Sequence, residues 1–104
     1  MKYSYLWEFV VEPECVPSFV EAYGPEGPWA RLFRRSPAYL GTDLLRDRED
    51  PRRYLTIDNW QSKDGYRAFM NDFREDYESL DRSLSGLASE ERLVGHFDVW
   101  AETL

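Results

Sequence analysis

Two side chains in this sequence are suited to accept a proton from a substrate, His96 and Asp58. His96 is the only histidine of the chain, and an imidazole can act as a base near neutral pH. Asp58 falls on the strand parity that also carries Thr56 and Trp60, and a carboxylate among aromatic rings has a raised pKa that fits the same role. Each also has a structural interpretation: an interface or structural histidine for His96, and a solvated or arginine-paired aspartate for Asp58.

A helical stripe of aromatic residues supplies the other candidates. Tyr77 follows Phe73 and Phe69 by one and two turns, and its hydroxyl can orient a phenolic substrate, although tyrosine at the wet end of a core stripe is commoner. We expect a cleft between a sheet and its helices, with these candidate ligand contacts: Trp7, Tyr5, Phe69, Phe73 and Trp60. The alternative is a cleft that the same rings fill completely, because protein interiors are close-packed.

Composition argues against several classes of protein. The formal net charge of -7 argues against a nucleic-acid partner, because phosphate binding needs a basic surface. The sequence carries no metal, nucleotide or nucleophile motif. Cys15 is the only cysteine, which excludes an internal disulfide and fits a reducing cytosol. It also lacks a nearby histidine that would activate it as a nucleophile.

Length and hydropathy indicate one domain, residues 1–104. A strand-like run begins almost at once, which leaves no room for a signal peptide, and no apolar run approaches membrane-spanning length. We therefore expect a cytoplasmic protein with no membrane partner. The aromatic content of 16% indicates a core of large side chains, or an aromatic cavity or interface.

The elements that must position these residues follow from periodicity. Residues 3–11 alternate as a strand that is apolar on both faces, the pattern of a strand covered on both sides. A helix follows and ends at Gly24, where a GPEGP segment breaks it. A second short helix is predicted over 29–35, closed by Ser36-Pro37 because a residue before proline avoids helical geometry.

The stretch from Tyr39 to Trp60 is typical of two strands, at about 38–47 and 53–60, joined by a turn with Asp50-Pro51. Ser62 can cap the helix that follows. Its buried stripe advances in steps of three and four: Tyr66, Phe69, Met70, Phe73, Tyr77, Leu80 and Leu84.

The end of the chain completes the pattern. We expect the long helix to end at Gly86, a short helical turn at 89–91, and a last alternating strand over 92–100. In that strand Leu93 and His96 fall on opposite parities.

This order predicts an α+β fold of the ferredoxin-like βαββαβ type, an antiparallel four-stranded sheet with both long helices on one face. The strands carry large apolar residues on both parities, so the second face also needs a cover. An identical sheet from a second subunit supplies one. We therefore expect a homodimer, a dimeric α+β barrel.

Three segments carry a resemblance to a known family: Tyr5–Phe9, Gly41-Thr42 and Arg53–Ser62, within a hydrophobic frame of roughly residues 3–100. They resemble the antibiotic biosynthesis monooxygenase (ABM) family of dimeric α+β barrels. The resemblance implies a ligand cleft between sheet and helices. The family includes cofactor-free monooxygenases of aromatic polyketides, haem-degrading enzymes and quinol oxidases, so it implies a fold more specifically than an activity.

The haem-degrading branch needs an axial histidine on the last helix and an asparagine on the first strand. The corresponding positions here are Tyr77 and Trp7. Tyrosine ligates haem iron in some proteins, but the imidazole is lost and Trp7 crowds the asparagine position, which disfavours haem degradation. The cofactor-free branch leaves no compact motif, because a deprotonated anthrone or hydroquinone passes an electron directly to oxygen. That branch implies no cofactor and no metal.

Two hypotheses of function follow. The first is a cofactor-independent monooxygenase of a phenolic, anthrone or quinol-like aromatic, with His96 or Asp58 as base and Tyr77 as orienting residue. The second is a non-catalytic small-molecule-binding or stress-associated dimeric module, in which the aromatic residues are chiefly core and interface. An open cavity beneath the last helix, with a base pointing into it, favours the first. A cleft closed by Trp7 and Phe73 argues against it.

Overall fold

The computed structural model of the chain describes residues 1–102. Its elements in chain order are β1 (Tyr3–Val10), a 3-10 turn (Pro13–Cys15), α1 (Val16–Tyr23), α2 (Pro28–Phe33), β2 (Tyr39–Arg46), β3 (Arg53–Trp60), α3 (Lys63–Ser83) and β4 (Glu90–Asp98). The strands form one antiparallel sheet in the order β2-β3-β1-β4, and the helices pack on one of its faces. The predicted ferredoxin-like α+β fold is confirmed. No helix within the described part of the chain is long and apolar enough to cross a membrane.

The last strand starts earlier than the sequence indicates. Glu90 and Glu91, expected in a helical turn, instead pair with Val10 and Phe9 of β1. The helical turn over 89–91 is therefore wrong, because backbone pairing with β1 overrides the local preference of these residues.

The two helix ends also differ from expectation. α2 stops at Phe33 rather than Arg35, since its last turn tightens: the N–H of Arg35 donates to Leu32 O and that of Ser36 to Phe33 O. α3 stops at Ser83, and Gly86 follows it outside the helix.

A β-bulge in β2 brings two side chains to the same face of the sheet. The register shifts at Leu40, so that Tyr39 lies opposite Trp60 and Thr42 lies opposite Asp58. Directly opposed residues of antiparallel strands share a face. Both Tyr39 and Thr42 therefore point toward the helices, although their spacing of three breaks strict alternation.

A second bulge lies in β4 at Val94. It places Leu93 opposite Trp7 and His96 opposite Tyr5, so these two β4 residues share the helix-facing side. The predicted alternation, which put them on opposite faces, is wrong because the bulge inserts one residue between them.

The main core lies between β1, β3 and the helices. The predicted alternation of β1 is confirmed, since Tyr3, Tyr5, Phe9 and Val11 are buried. Trp7 has the same parity but is only half-buried, because it borders the cleft described below.

The long helix α3 consists of two segments. Ser62 caps the first, and its Oγ accepts a hydrogen bond from the Gly65 N–H at 3.0 Å, as predicted. Phe69 is buried in the core. The helical conformation is interrupted at Phe73, where φ is -123° and ψ is 24°. Tyr77 therefore lies on the second segment.

The sheet face opposite the helices is uncovered in a single chain. Leu45 and Phe97 on this face are 44% and 50% exposed. Leu6, Leu55 and Ile57, also on this face, are half-buried. The open face of the sheet is therefore apolar, and it is the face that we expected, from the sequence, to be covered by a second subunit.

Candidate active site

A cleft of about 130 Å³ lies between the sheet and the helices. β1 and β3 form its floor, and all three helices contribute to its walls. Its lining residues are Tyr5, Trp7, Phe9, Tyr23, Trp29, Phe33, Thr42, Thr56, Asp58, Tyr77, Asp81 and Glu91. The aromatic rings thus surround an open space rather than filling it.

The predicted ligand contacts divide into two groups. Tyr5 and Trp7 line the cleft, whereas Trp60, Phe69 and Phe73 do not. Trp60 and Phe69 are 0% and 2% exposed, and their ring centroids lie 5.3 Å apart. Phe73 packs on Phe69 at a centroid distance of 5.3 Å. These three rings therefore support the cleft from behind and do not face a ligand.

Asp58 is the buried acid of the cleft. Its side chain is on the helix-facing side of β3 and the residue is 6% exposed. Burial raises its pKa from 3.8 to about 6, opposed by the hydrogen bond from Thr42. Within residues 1–102, Asp58 takes part in no ion pair. A carboxylate with this pKa is ionised at neutral pH and still takes up a proton readily.

An ordered pair of hydroxyl groups holds the Asp58 carboxylate. Thr42 Oγ1 donates to Asp58 Oδ1 at 2.6 Å, and the Tyr39 hydroxyl is hydrogen-bonded to the same Thr42 oxygen. A threonine hydroxyl has one proton, which goes to the ionised carboxylate, so Tyr39 must be the donor to Thr42. The other carboxylate oxygen, Oδ2, has no hydrogen-bond partner among the described residues and stays accessible from the cleft.

Three tyrosines line the cleft as hydrogen-bond donors. Burial raises the pKa of Tyr23 to about 12 and raises the pKa values of Tyr5 and Tyr77 well above their ordinary value. The negative charge of Asp58 raises the pKa of Tyr5 further. All three phenols therefore stay protonated at neutral pH, so they can donate to an oxygen atom that gains negative charge.

His96 lies outside the cleft. Its side chain is exposed on the edge strand β4, and its Nδ1 is 3.0 Å from the hydroxyl oxygen of Tyr3. The ring thus anchors a buried core tyrosine, which agrees with the structural interpretation. Of the two bases considered from the sequence, the structure brings Asp58 into the cleft with Tyr77 and leaves His96 at the sheet edge.

Several lining residues were absent from the sequence-based candidates. Thr42 reaches Asp58 because of the bulge at Leu40, for which the sequence offers no clear signal. Trp29 and Tyr23, which the sequence places on either side of the GPEGP segment, both line the cleft, and the Trp29 indole N–H is buried beside the Tyr23 hydroxyl. Asp81 follows Tyr77 by one helical turn, a spacing that would have identified it once Tyr77 was placed in the site.

The fold and the cleft together define a ferredoxin-like α+β domain with an aromatic, carboxylate-bearing cavity between sheet and helices. The sequence model described as antibiotic biosynthesis monooxygenase matches residues 8–82. The chain belongs to this family.

Solved structures show the same architecture at low sequence identity. A mutant of SnoaB, a cofactor-independent oxygenase from Streptomyces nogalater, is 20% identical with a TM-score of 0.71, over 97% of this chain and 95% of that one. A putative antibiotic biosynthesis monooxygenase from Nitrosomonas europaea is 16% identical with a TM-score of 0.71, over 98% and 93%. The ActVA-Orf6 monooxygenase of Streptomyces coelicolor, in complex with nanaomycin D, is 22% identical with a TM-score of 0.68, over 98% and 90%. Among curated proteins, none matches the sequence significantly.

Proposed function

We propose that this protein is a cofactor-independent monooxygenase of a phenolic, anthrone or quinol-like aromatic, with Asp58 as the base. The observation that carries this proposal is a buried carboxylate, free of any ion pair in the described chain, that opens onto an aromatic cleft. Two of the similar structures support it, since one is of an oxygenase described as cofactor-independent and the other is of a monooxygenase with a bound ligand.

The proposed chemistry needs few protein groups. Asp58 Oδ2 accepts the proton of the substrate hydroxyl, and the aromatic anion then transfers an electron to dioxygen. One oxygen atom enters the substrate and the other leaves as water, with the two hydrogens that the substrate gives up. Tyr77 and Tyr5 donate hydrogen bonds that orient the substrate oxygen and stabilise its charge.

The raised pKa of Asp58 makes this proton transfer easier. A phenol has a pKa of about 10, and an ordinary aspartate at 3.8 lies about six units below it. At a pKa of about 6 the gap shrinks by about two units, which corresponds to about 3 kcal/mol. Hydrogen bonds from the tyrosines favour the anionic form of the substrate, so they lower the pKa of its hydroxyl and bring it closer to that of Asp58.

The size of the cleft favours one aromatic ring in its interior. An engineered protein cavity of about 150 Å³ binds benzene, and the volume here is about 130 Å³. A phenol or hydroquinone therefore fits inside. A three-ring anthrone fits if its distal rings extend out of the cleft.

Oxygen uptake tests the proposal. With a panel of hydroquinones and anthrones, corrected for autoxidation without protein, we expect Asp58→Asn to lose about 100-fold or more of the rate, the usual contribution of a general base. Asp72→Asn is the matched control, because Asp72 is an exposed aspartate on α3 that does not line the cleft. His96→Ala is expected to keep its rate.

The outcomes separate the two functional hypotheses. Full uptake by Asp58→Asn would remove Asp58 as the base. Ligand binding by the wild-type protein without uptake from any substrate would favour the non-catalytic binding module instead.

We also propose that a second copy of the chain covers the open sheet face, which forms a homodimer. The apolar side chains of that face support this arrangement. The one acidic side chain at its centre, Glu8, already has partners: Arg53 Nε at 2.7 Å and an Arg92 nitrogen at 3.2 Å. An interface over this face therefore buries a paired carboxylate rather than an isolated charge.

A further inference from the structure

The charged side chains that line the cleft are all acidic. Its lining includes three carboxylates, Asp58, Asp81 and Glu91, and no lysine, arginine or histidine. None of the three belongs to an ion pair within residues 1–102. Any ligand that enters the cleft therefore meets negative charge that the described protein does not neutralise.

Two of these carboxylates, Asp81 and Glu91, lie close enough to interact electrostatically. Both side chains are exposed where they line the cleft, and the partial desolvation of Glu91 together with the neighbouring charge of Asp81 raises the pKa of Glu91. Burial raises the pKa values of Tyr23 and Tyr77, and the negative charges of Asp81 and Glu91 raise them further. Asp81 and Glu91 thus lie beside the aromatic wall.

The aromatic wall beside these acids consists of three rings. The ring centroid of Trp29 lies 5.0 Å from that of Tyr77 and 6.3 Å from that of Tyr23. Electron-rich ring faces beside carboxylates are the arrangement that binds organic cations. The Trp29 indole N–H is buried in this wall beside the Tyr23 hydroxyl, and this contact opposes the rise in the pKa of Tyr23.

The acids are not arranged to hold a metal ion. Among residues 1–102, no group of three or more His, Cys, Asp or Glu side chains has a suitable geometry. The strand register explains why: Asp58 is opposite Tyr5 of β1, whereas Glu91 is opposite Phe9, four residues further along. That offset separates the two carboxylates by about 13 Å along the strand direction.

We propose that the cleft binds an aromatic compound that carries a positively charged amino group. The inference rests on the aromatic substrate proposed above. The ring hydroxyl faces Asp58, and the ammonium group faces Asp81 and Glu91 beside the rings of Trp29 and Tyr77. The same charges oppose a ligand with a carboxylate at that position.

Three phenols of similar size and different charge test the inference: tyramine (cationic), 4-ethylphenol (neutral) and 4-hydroxyphenylacetate (anionic). Tryptophan fluorescence reports binding, since Trp29 and Trp7 line the cleft. We expect tyramine to bind roughly tenfold more tightly than 4-ethylphenol, from a cation–π contact and two nearby carboxylates. We expect 4-hydroxyphenylacetate to bind more weakly than 4-ethylphenol.

Paired variants separate the local effect from net charge. In Asp81→Asn/Glu91→Gln, we expect tyramine to bind no more tightly than 4-ethylphenol, whose own affinity stays the same. Asp72→Asn/Glu90→Gln removes two charges from the same two elements, α3 and β4, at positions that do not line the cleft. This control should keep the preference for tyramine.

The inference is overturned if tyramine and 4-ethylphenol bind equally, if both double variants behave alike, or if none of the three compounds binds. Titrations under nitrogen keep this test separate from turnover. A preference for tyramine without oxygen uptake from any substrate would contradict the proposed monooxygenase and leave the charge selectivity standing.

Discussion

Asp58→Asn should make the protein more stable at neutral pH. The wild-type carboxyl has a pKa of about 6 when folded, against 3.8 as the ordinary value. Between these pH values the folded chain holds a proton that the unfolded chain has released, so stability falls as the pH rises through this window. The shift of about two units corresponds to about 3 kcal/mol of stability lost above the folded pKa. Asparagine has nearly the same shape, carries no charge, and keeps an oxygen to accept from Thr42.

The assay is urea unfolding of both proteins from pH 4 to pH 8 at one fixed protein concentration. The free energy of unfolding of Asp58→Asn should equal that of the wild type near pH 4 and exceed it by up to about 3 kcal/mol above pH 7. Other titrating groups cancel, because both proteins contain them. Asp72→Asn, at an exposed position of α3, should show no such pH-dependent difference. A flat or opposite dependence would mean that Asp58 is not a buried, charged group, and the argument for it as a tuned base would fail.

Three further predictions follow from named contacts. Thr42→Val removes the hydrogen bond that lowers the pKa of Asp58, so the acid limb of the pH–rate profile should move up by about one to two units; an unmoved limb would contradict this. Leu6→Lys, on the open sheet face opposite Ile57, should convert a dimer to monomers in sedimentation, and unchanged sedimentation would argue against that interface. Ser62→Ala should lower the free energy of unfolding by about 1 kcal/mol, since it removes the helix cap; urea unfolding measures this, and Ser62→Asn should restore most of the loss.

The fold could be predicted because its elements have strong periodic patterns. The alternation of β1 and the steps of three and four along α3 identify both elements, and their order then leaves one common topology. The misplaced boundaries lie at 89–91 and at the ends of two helices. There, long-range pairing or a tightened last turn decides the structure, and neither has a local signature.

The candidate site was only partly predictable, for a different reason. The alternation of β3 and the helical spacing of α3 show which side chains face the space between sheet and helices. On that basis the sequence identified Asp58 and Tyr77, and both line the cleft. Parity does not distinguish a ring that faces the cavity from one that packs behind it, so Trp60 was expected as a ligand contact although it is completely buried. The bulges at Leu40 and Val94 each add one residue to a strand, which changes the direction of every side chain beyond them.

The interruption at Phe73 divides α3 into two segments with different roles. The segment before it carries the capped start and the buried Phe69, which fix where the helix sits. The segment after it carries Tyr77 and Asp81, which face the cleft. A substitution at Asp81 therefore changes the charge of the cavity, while Leu80 of the same segment still packs on the core. The side chains that face a ligand can thus vary separately from those that hold the helix on the sheet.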